Sequence, residues 1–375
     1  MAGIYIHIPF CKKRCSYCDF YKTIDAELAD TFLVSLEKEM ELQRDYLEQK
    51  EVETIYFGGG TPTVLSAQQI GIILEKLHAT FNIKEDTEIT IEANPDDIKK
   101  TYTKSLAKTG INRISLGIQS WNDEILKLLN RRHNSEDARK ALEHIFSSGI
   151  DNISADLIYG IPGMSLNQWK ENLQITLDYD IKHLSAYHLT IEEHTVFGKM
   201  KKNNELREID EEESEKQFNV LIDECEKNGF IQYEISNFCK EGYFSIHNTN
   251  YWRREPYLGL GPSAHSFNGE SRQWNIADLN EYIKLIEKDE VPATIEILNV
   301  KDMFNEYVMT SLRTMWGIDL DYVEDKINKE SRDYLNNLAT RFVKYGMMTK
   351  KGSQLVLTNQ GKMISDNIIS ELMMT

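Results

Sequence analysis

No stretch of this 375-residue chain approaches the roughly 18 to 20 consecutive apolar residues that a membrane-spanning helix needs. Basic residues are in short supply, with 43 Lys and Arg against 60 Asp and Glu and a formal net charge of −17. A surface so acidic repels phosphate backbones and anionic lipid headgroups, which argues against general nucleic-acid binding. No internal repeat and no low-complexity tract stands out. Cysteine is scarce, five residues in all, and no secretory signal is read ahead of the first strand, so a disulfide scaffold is not expected. The expected location is the cytoplasm, a reducing compartment, with peripheral membrane association left open. The apolar fraction of 41%, with 18 Tyr and 14 Phe, is enough for sizeable cores.

Three of the five cysteines crowd into eight residues. Cys11, Cys15 and Cys18 lie just after a strand-like stretch with the spacing C-x3-C-x2-C. Zinc sites usually bring paired C-x2-C units and four ligands, and iron–sulfur clusters also usually take four protein ligands. Three thiolates in one tight loop, with no fourth beside them, point to a [4Fe–4S] cluster whose remaining iron can coordinate a small molecule. The neighbouring Lys12, Lys13 and Arg14 mark the loop as solvated. Cys225 and Cys239 stand apart and read as ordinary thiols, since a free Cys behaves as a small hydrophobe.

The first half of the chain alternates strand-like and helix-like segments. Strands are predicted at Ile4–Ile8, Thr54–Phe57, Glu88–Glu92, Arg113–Ile118, Asn152–Ile158 and His183–Leu189. Amphipathic stretches fall between them at Asp25–Leu47, Ala67–Ala79, Asp97–Lys108, Ser135–Ser147 and Leu166–Leu177. Repeated β-then-α units imply an α/β fold with a parallel sheet and right-handed crossovers. Six units fall short of the eight that close a barrel, so a partial barrel is expected. Residues 1–230 read as this core. Residues 231–300 read as an irregular, aromatic-rich extension. Residues 301–375 read as a small helical, winged-helix-like module, with helices at Met303–Met315, Asp321–Ile327 and Ser331–Tyr345, short strands at Gly346–Thr349 and Gln354–Leu357, and a last helix after Thr358. The acidic run Asp210–Glu213 suits a helix start, where acids favour the dipole.

Ligands of such folds gather at the C-terminal ends of the strands, and the suspicious residues fall there. Gly58-Gly59-Gly60-Thr61-Pro62 follows the second strand. Glycines let a ligand approach the backbone closely, but the sequence fits neither a P-loop nor a dinucleotide fingerprint. Glu92, Gln119, Arg131 and Asp156 sit at or beyond later strands. Acids there can bond ribose hydroxyls and an Arg can clamp a carboxylate. Together they outline a pocket for an adenosyl amino acid.

CKKRCSYC resembles the signature of the radical S-adenosylmethionine (SAM) superfamily, and GGGTP its amino-group-binding motif. YIHIPFC, YFGGGTPT, IEANP, RISLGIQS, LLNRRH and ADLIYGIPG are similar to the oxygen-independent coproporphyrinogen III oxidase group, over nearly the whole chain. The resemblance implies that Cys11, Cys15 and Cys18 hold the cluster. It also implies that Tyr5, Tyr17, Gly59, Gly60, Thr61, Glu92, Gln119, Arg131 and Asp156 contact SAM or lie beside it. Two departures matter. Coproporphyrinogen dehydrogenases carry a fourth Cys two residues after the third, where this chain has Phe20. They also carry a longer N-terminal arm. Both departures point to the sister group of HemW-type haem chaperones, as does His247-Asn248-Thr249-Asn250-Tyr251-Trp252, which matches that group's H-N-x-x-Y-W pattern. The resemblance thus implies haem as a third ligand, contacted by His247, Tyr251 and Trp252, with Arg253 and Arg254 available to propionates. His is a common haem ligand, and His7, His188 and His265 remain rivals. The expected function is haem delivery to acceptor proteins, membrane-bound respiratory enzymes among them. A homodimer stays open, as does the status of enzyme: the alternative is a radical SAM oxidoreductase of porphyrin metabolism that acts on a tetrapyrrole.

Overall fold

Stretches rich in Ile and other β-branched residues form the six central strands β1 (Ala2–Ile8), β2 (Val52–Gly59), β3 (Ile83–Ala93), β4 (Arg113–Gln119), β5 (Asn152–Tyr159) and β6 (His183–His188). These strands belong to a computed structural model that describes residues 1–48 and 50–375. They pair in parallel and in sequence order. Helices cover their outer face, so β1 and β4 are buried along almost their whole length. That is the burial expected of parallel strands. Three of the crossover helices begin at a reciprocal capping box: Ser66 with Gln69, Asn134 with Asp137, and Ser165 with Gln168. Each box satisfies amide donors that a helix start leaves without partners. The result is a partial barrel.

Two helices are shorter than their amphipathic patterns predict. The first spans Ala29–Leu42 rather than Asp25–Leu47. The third spans Lys100–Leu106, because Pro95–Asp97 forms a separate 3₁₀ turn. The larger difference lies in residues 231–300. The expected irregular segment instead adds strands to both edges of the sheet. On the β6 side come β7 (Ile231–Gln232) and β8 (Asn237–Cys239), antiparallel. On the β1 side β9 (Tyr257–Leu260) runs parallel to β1. It is followed by antiparallel β10 (His265–Phe267), β11 (Ser271–Asn275) and β12 (Ala293–Ile297). Strands of two to five residues between turns carry too little period-two pattern to be read from sequence. At Gly259 a Cβ would lie 2.1 Å from the His265 carbonyl oxygen, so the β9–β10 contact admits only glycine.

Between β8 and β9 a short helix, Ile246–Trp252, lies under the N-terminal ends of β2 and β3. Its first amides, on Ile246 and His247, donate to the Glu88 carboxylate at 3.2 and 3.1 Å, and Asn250 donates to Glu53. This helix floors the barrel. The C-terminal residues build a second hydrophobic core around Phe304, Val308, Leu335, Leu355 and Ile369. It carries a three-stranded sheet in which β15 (Gln354–Leu357) lies between β13 (Ile318–Asp319) and β14 (Met348–Lys351). A backbone seam joins it to the barrel: Ile235 N donates to Arg313 O at 3.0 Å and Met315 N to Tyr233 O at 2.9 Å.

Candidate cofactor site

The interior of the barrel is open from its mouth to its floor. A cavity of about 520 Å³ is lined by Cys11, Cys15, Tyr17, Cys18, Gly59, Gly60, Thr61, Glu92, Gln119, Arg131 and Asp156. Of the residues singled out for cluster and SAM, Tyr5 alone is set back from it. Tyr5 lies a layer deeper, stacked on Tyr56 with ring centroids 6.1 Å apart, its hydroxyl 3.2 Å from His7 Nδ1.

The cysteine loop is pinned by main-chain bonds on both sides. Cys11 N donates to Thr23 O at 2.8 Å, Ser16 N to Leu129 O at 3.0 Å, and Phe197 N to Ser16 O at 3.0 Å. Lys12 reaches Asp97 at 2.7 Å, and Arg132 is shared between Asp96 and Asp97. The loop's three thiols are partly exposed to the cavity. Cys11 Sγ is 3.4 Å from Thr61 Oγ1, and burial pushes its thiol up. Among the described residues no His, Cys, Asp or Glu side chains converge as ligands of a single ion. A cluster makes a different demand, because each thiolate bonds a separate iron. Soft sulfur donors around open space fit that group and fit a mononuclear site poorly.

The glycines form a cradle. A Cβ on Gly60 would lie 2.7 Å from the Phe10 carbonyl oxygen, and one on Gly58 would touch the Tyr5 and Tyr56 rings at 3.0 Å. Gly59 has φ +106°, outside the range of ordinary side chains. Gln119 also lies in the left-handed region, at a register shift between β4 and β5, and is turned toward the cavity. Arg131 spans the site. Its Nη2 donates to Asn94 and to Gly117 O, and its Nη1 lies 3.3 Å from Cys15 Sγ and 3.4 Å from the Tyr17 hydroxyl. Among the described residues its Nε has no partner. An unsatisfied buried donor beside a polar cavity is free for an acceptor on a ligand.

Two half-buried carboxylates face the same space. Glu92 accepts the Tyr56 hydroxyl at 2.9 Å, and burial pushes its carboxyl up to about 7. Asp156 accepts Ser115 Oγ at 2.9 Å; burial raises its carboxyl and Ser115 opposes the rise. A site with thiols at one end, a cation in the middle and two acids opposite can take a ligand bearing a carboxylate, a cationic centre and hydroxyls.

The other singled-out residues lie elsewhere. His247 is 2% exposed, with Nδ1 2.9 Å from Thr54 Oγ1 and Nε2 2.8 Å from the Tyr251 hydroxyl. Burial drives it down to about 3, so it is neutral. Tyr251 packs edge-on against Tyr257, while the Trp252 indole N–H has no partner among the described residues. Arg254 is occupied by Glu306, and Arg253 lies over the Trp316 ring. Of the H-N-x-x-Y-W segment, Asn248 lines the cavity, at its floor. His7 also has both nitrogens engaged, by Tyr5 and by Tyr21 O, and His265 stacks on Trp274. His188 differs: it is exposed and lines the cavity. Beside it at the mouth stand Tyr187, Lys22 and Phe20, the last 71% exposed. Tyr56, Asn94, Ser115, Tyr187 and Asn248 were not picked out from the sequence as site residues. Period-two alternation along β4, where Ser115, Gly117 and Gln119 share a face, carried a signal for the first of the β4 set.

The Radical SAM superfamily profile matches residues 5–175, and the HemN C-terminal domain profile matches residues 298–364. Among curated proteins, "Heme chaperone HemW" of Bacillus subtilis is 32% identical over 372 residues, covering 98% of each chain. The protein of the same name from Lactococcus lactis is 31% identical, covering 99% of this chain and 97% of that one. Among solved structures, the radical SAM coproporphyrinogen III oxidase HemN of Escherichia coli superposes with a TM-score of 0.86 at 24% identity, over 99% of this chain and 89% of that one. At that identity the likeness speaks for the fold.

Proposed function

Because this chain belongs to the HemW haem-chaperone family of radical SAM proteins, we propose that it holds a [4Fe–4S] cluster and SAM in the barrel cavity and binds haem for delivery to acceptor haem proteins. The observation that carries the reading is the gathering of Cys11, Cys15, Cys18, Gly59, Gly60, Thr61, Glu92, Gln119, Arg131 and Asp156 around one space. Bound there, the cluster would supply an electron to SAM. The chain's own residues have simpler tasks. Cys11, Cys15 and Cys18 would hold the cluster. Arg131 meets the ligand's carboxylate through a charge-assisted bond. The Gly58–Gly60 backbone lets the amino group come close, and Asp156 accepts ribose hydroxyls.

Haem is assigned to the mouth and to the H-N-x-x-Y-W segment. His188 is the imidazole that meets the cavity without rearrangement. His247 becomes a ligand only if Nε2 gives up the Tyr251 hydroxyl. Phe20 and Tyr187 offer apolar surface to a porphyrin at the mouth, and Lys13 and Lys22 stand near enough to the opening to meet propionates. Such acceptors include membrane-bound respiratory enzymes, and the protein works in the cytoplasm.

The expected outcome separates chaperone from enzyme. Reconstituted protein given SAM, a reductant and coproporphyrinogen III forms no protoporphyrinogen, whereas haem added to it produces a Soret band. His188→Ala alters that band or its retention, and His247→Ala does so only if the Tyr251 bond opens on binding. Efficient protoporphyrinogen production would replace this reading with that of an oxidoreductase.

A further inference from the structure

Below the two carboxylates the barrel contains a cation with no ionic partner among the described residues. Arg113 is 1% exposed, and its Nε has no hydrogen-bond partner among them. Among the described residues it makes no ion pair. Arg113 and Ser115 fall on the same face of β4 by the two-residue repeat of a strand. Since Ser115 lines the cavity, Arg113 stands inside the barrel one layer beneath it. Its neighbours in register are Thr90 and Asn152, both neutral. An unpaired buried charge is expensive, and this one is not needed to hold any acidic side chain in contact.

A chain of hydrogen bonds approaches from the next strand. Ser154 Oγ is 3.2 Å from Asp156 Oδ1 and 2.8 Å from His183 Nδ1. His183 Nε2 is 2.7 Å from the Tyr233 hydroxyl. His183 and Tyr233 are fully buried. Burial holds His183 far below its ordinary range and Tyr233 far above, so the imidazole is neutral and the phenol keeps its proton. A neutral imidazole donates from one nitrogen. With Tyr233 donating to Nε2, the ring proton sits on Nδ1 and is donated to Ser154. The Ser154 hydroxyl hydrogen is then free for Asp156. The opposite tautomer takes Ser154 away from Asp156 and leaves the Tyr233 proton with no acceptor.

We propose that Arg113 and the Tyr233–His183–Ser154 chain are positioning residues that keep Asp156 ionised and fixed as the acceptor for a ligand's vicinal hydroxyls. This rests on reading the cavity as the SAM site, whose ribose supplies the diol. The groups that face Asp156 are Arg113 and Ser115 from β4, and His183, Ser185 and Tyr187 from β6. Across the barrel stand Glu92 from β3 and Tyr56 from β2. Burial raises the carboxyl, while Ser115, then Arg113, then Ser154 and Ser185 hold it down. Arg113 is the one cation in that set. Arg131 turns its guanidinium to Asn94, Gly117 O and the Cys15 side.

The sign follows from linkage. Ligand binding needs the carboxylate, so affinity is full above the Asp156 pKa and falls about tenfold per pH unit below it. Loss of Arg113 moves that fall to higher pH. The test is calorimetry of SAM with cluster-loaded full-length protein across a pH series. Arg113→Met is expected to lose affinity at a pH where the unmodified protein still binds fully. Arg113→Lys restores most of the original profile, and Tyr233→Phe shifts it the same way by less. A merely structural Arg113 would lower affinity equally at every pH. Circular dichroism checks the fold; if Arg113→Met does not fold, Tyr233→Phe decides the question. Superimposable pH profiles in all variants would overturn the proposal and leave the SAM site standing. An unmodified protein that binds no SAM at any pH would remove both.

Discussion

Replacing Cys11, Cys15 and Cys18 together with alanine is expected to abolish the visible iron–sulfur absorbance of anaerobically reconstituted protein. The unmodified chain should take up about four irons. Each single Cys→Ala variant should lose the cluster as well, because the two remaining thiolates in the loop have no spare cysteine to recruit. Cys225 and Cys239 are buried elsewhere in the core, and Phe20 stands where a further thiol would come nearest. The fold itself should survive. The loop is held by Cys11 N, Ser16 N and Ser16 O through main-chain bonds, none of which uses a thiol. Circular dichroism unchanged from the parent, with the absorbance gone, is the expected pair of results. Retained absorbance in the triple variant would show that the cluster lies elsewhere or is absent.

The second large effect is on SAM. Arg131→Ala should weaken its binding by roughly 1.5–3 kcal/mol, the range for a hydrogen bond to a charged group. That is roughly a 10- to 150-fold rise in Kd by calorimetry. Arg131 also bonds Asn94 and the Gly117 carbonyl oxygen, so part of the loss comes from loosening the strand ends around the ligand. Arg131→Lys separates the two contributions. It restores a charge without the planar fork, and it should recover less than half of the lost binding energy if bidentate geometry is what the ligand uses. Asp156→Ala tests the opposite wall. Unchanged affinity in both Arg131→Ala and Asp156→Ala would dismantle the proposed pocket.

The haem side of the protein is where sequence and structure part most clearly. The H-N-x-x-Y-W segment reads as a haem contact, with His247 one of several candidate ligands and Tyr251 and Trp252 as flat apolar surface. In the structure it is a helix that closes the barrel floor, and His247 has a hydrogen-bond partner on each ring nitrogen. Thr54 and Tyr251 decide this, and one of them is 193 residues away along the chain. No local pattern carries such a contact. Arg254 likewise reads as a propionate partner, yet it is drawn to Glu306 on the C-terminal module.

The sequence by itself determined the repeat of βα units, their parallel order and which strand ends line the cavity. Those properties follow from local hydrophobic period, caps and turn residues, all set within a few positions of one another. It also determined which cysteines and glycines are suited to a cluster and a small polar ligand, because their spacing is itself local. Only the tertiary structure decided that the sheet continues past β1 and β6 through strands too short to show a period. Only it decided that Arg113 has no ionic partner among the described residues inside the barrel, and that Tyr233, His183 and Ser154 line up on Asp156. The physical reason is that a buried polar group takes its meaning from what it faces, and the facing groups come from different strands whose distance along the chain leaves no trace in the local pattern.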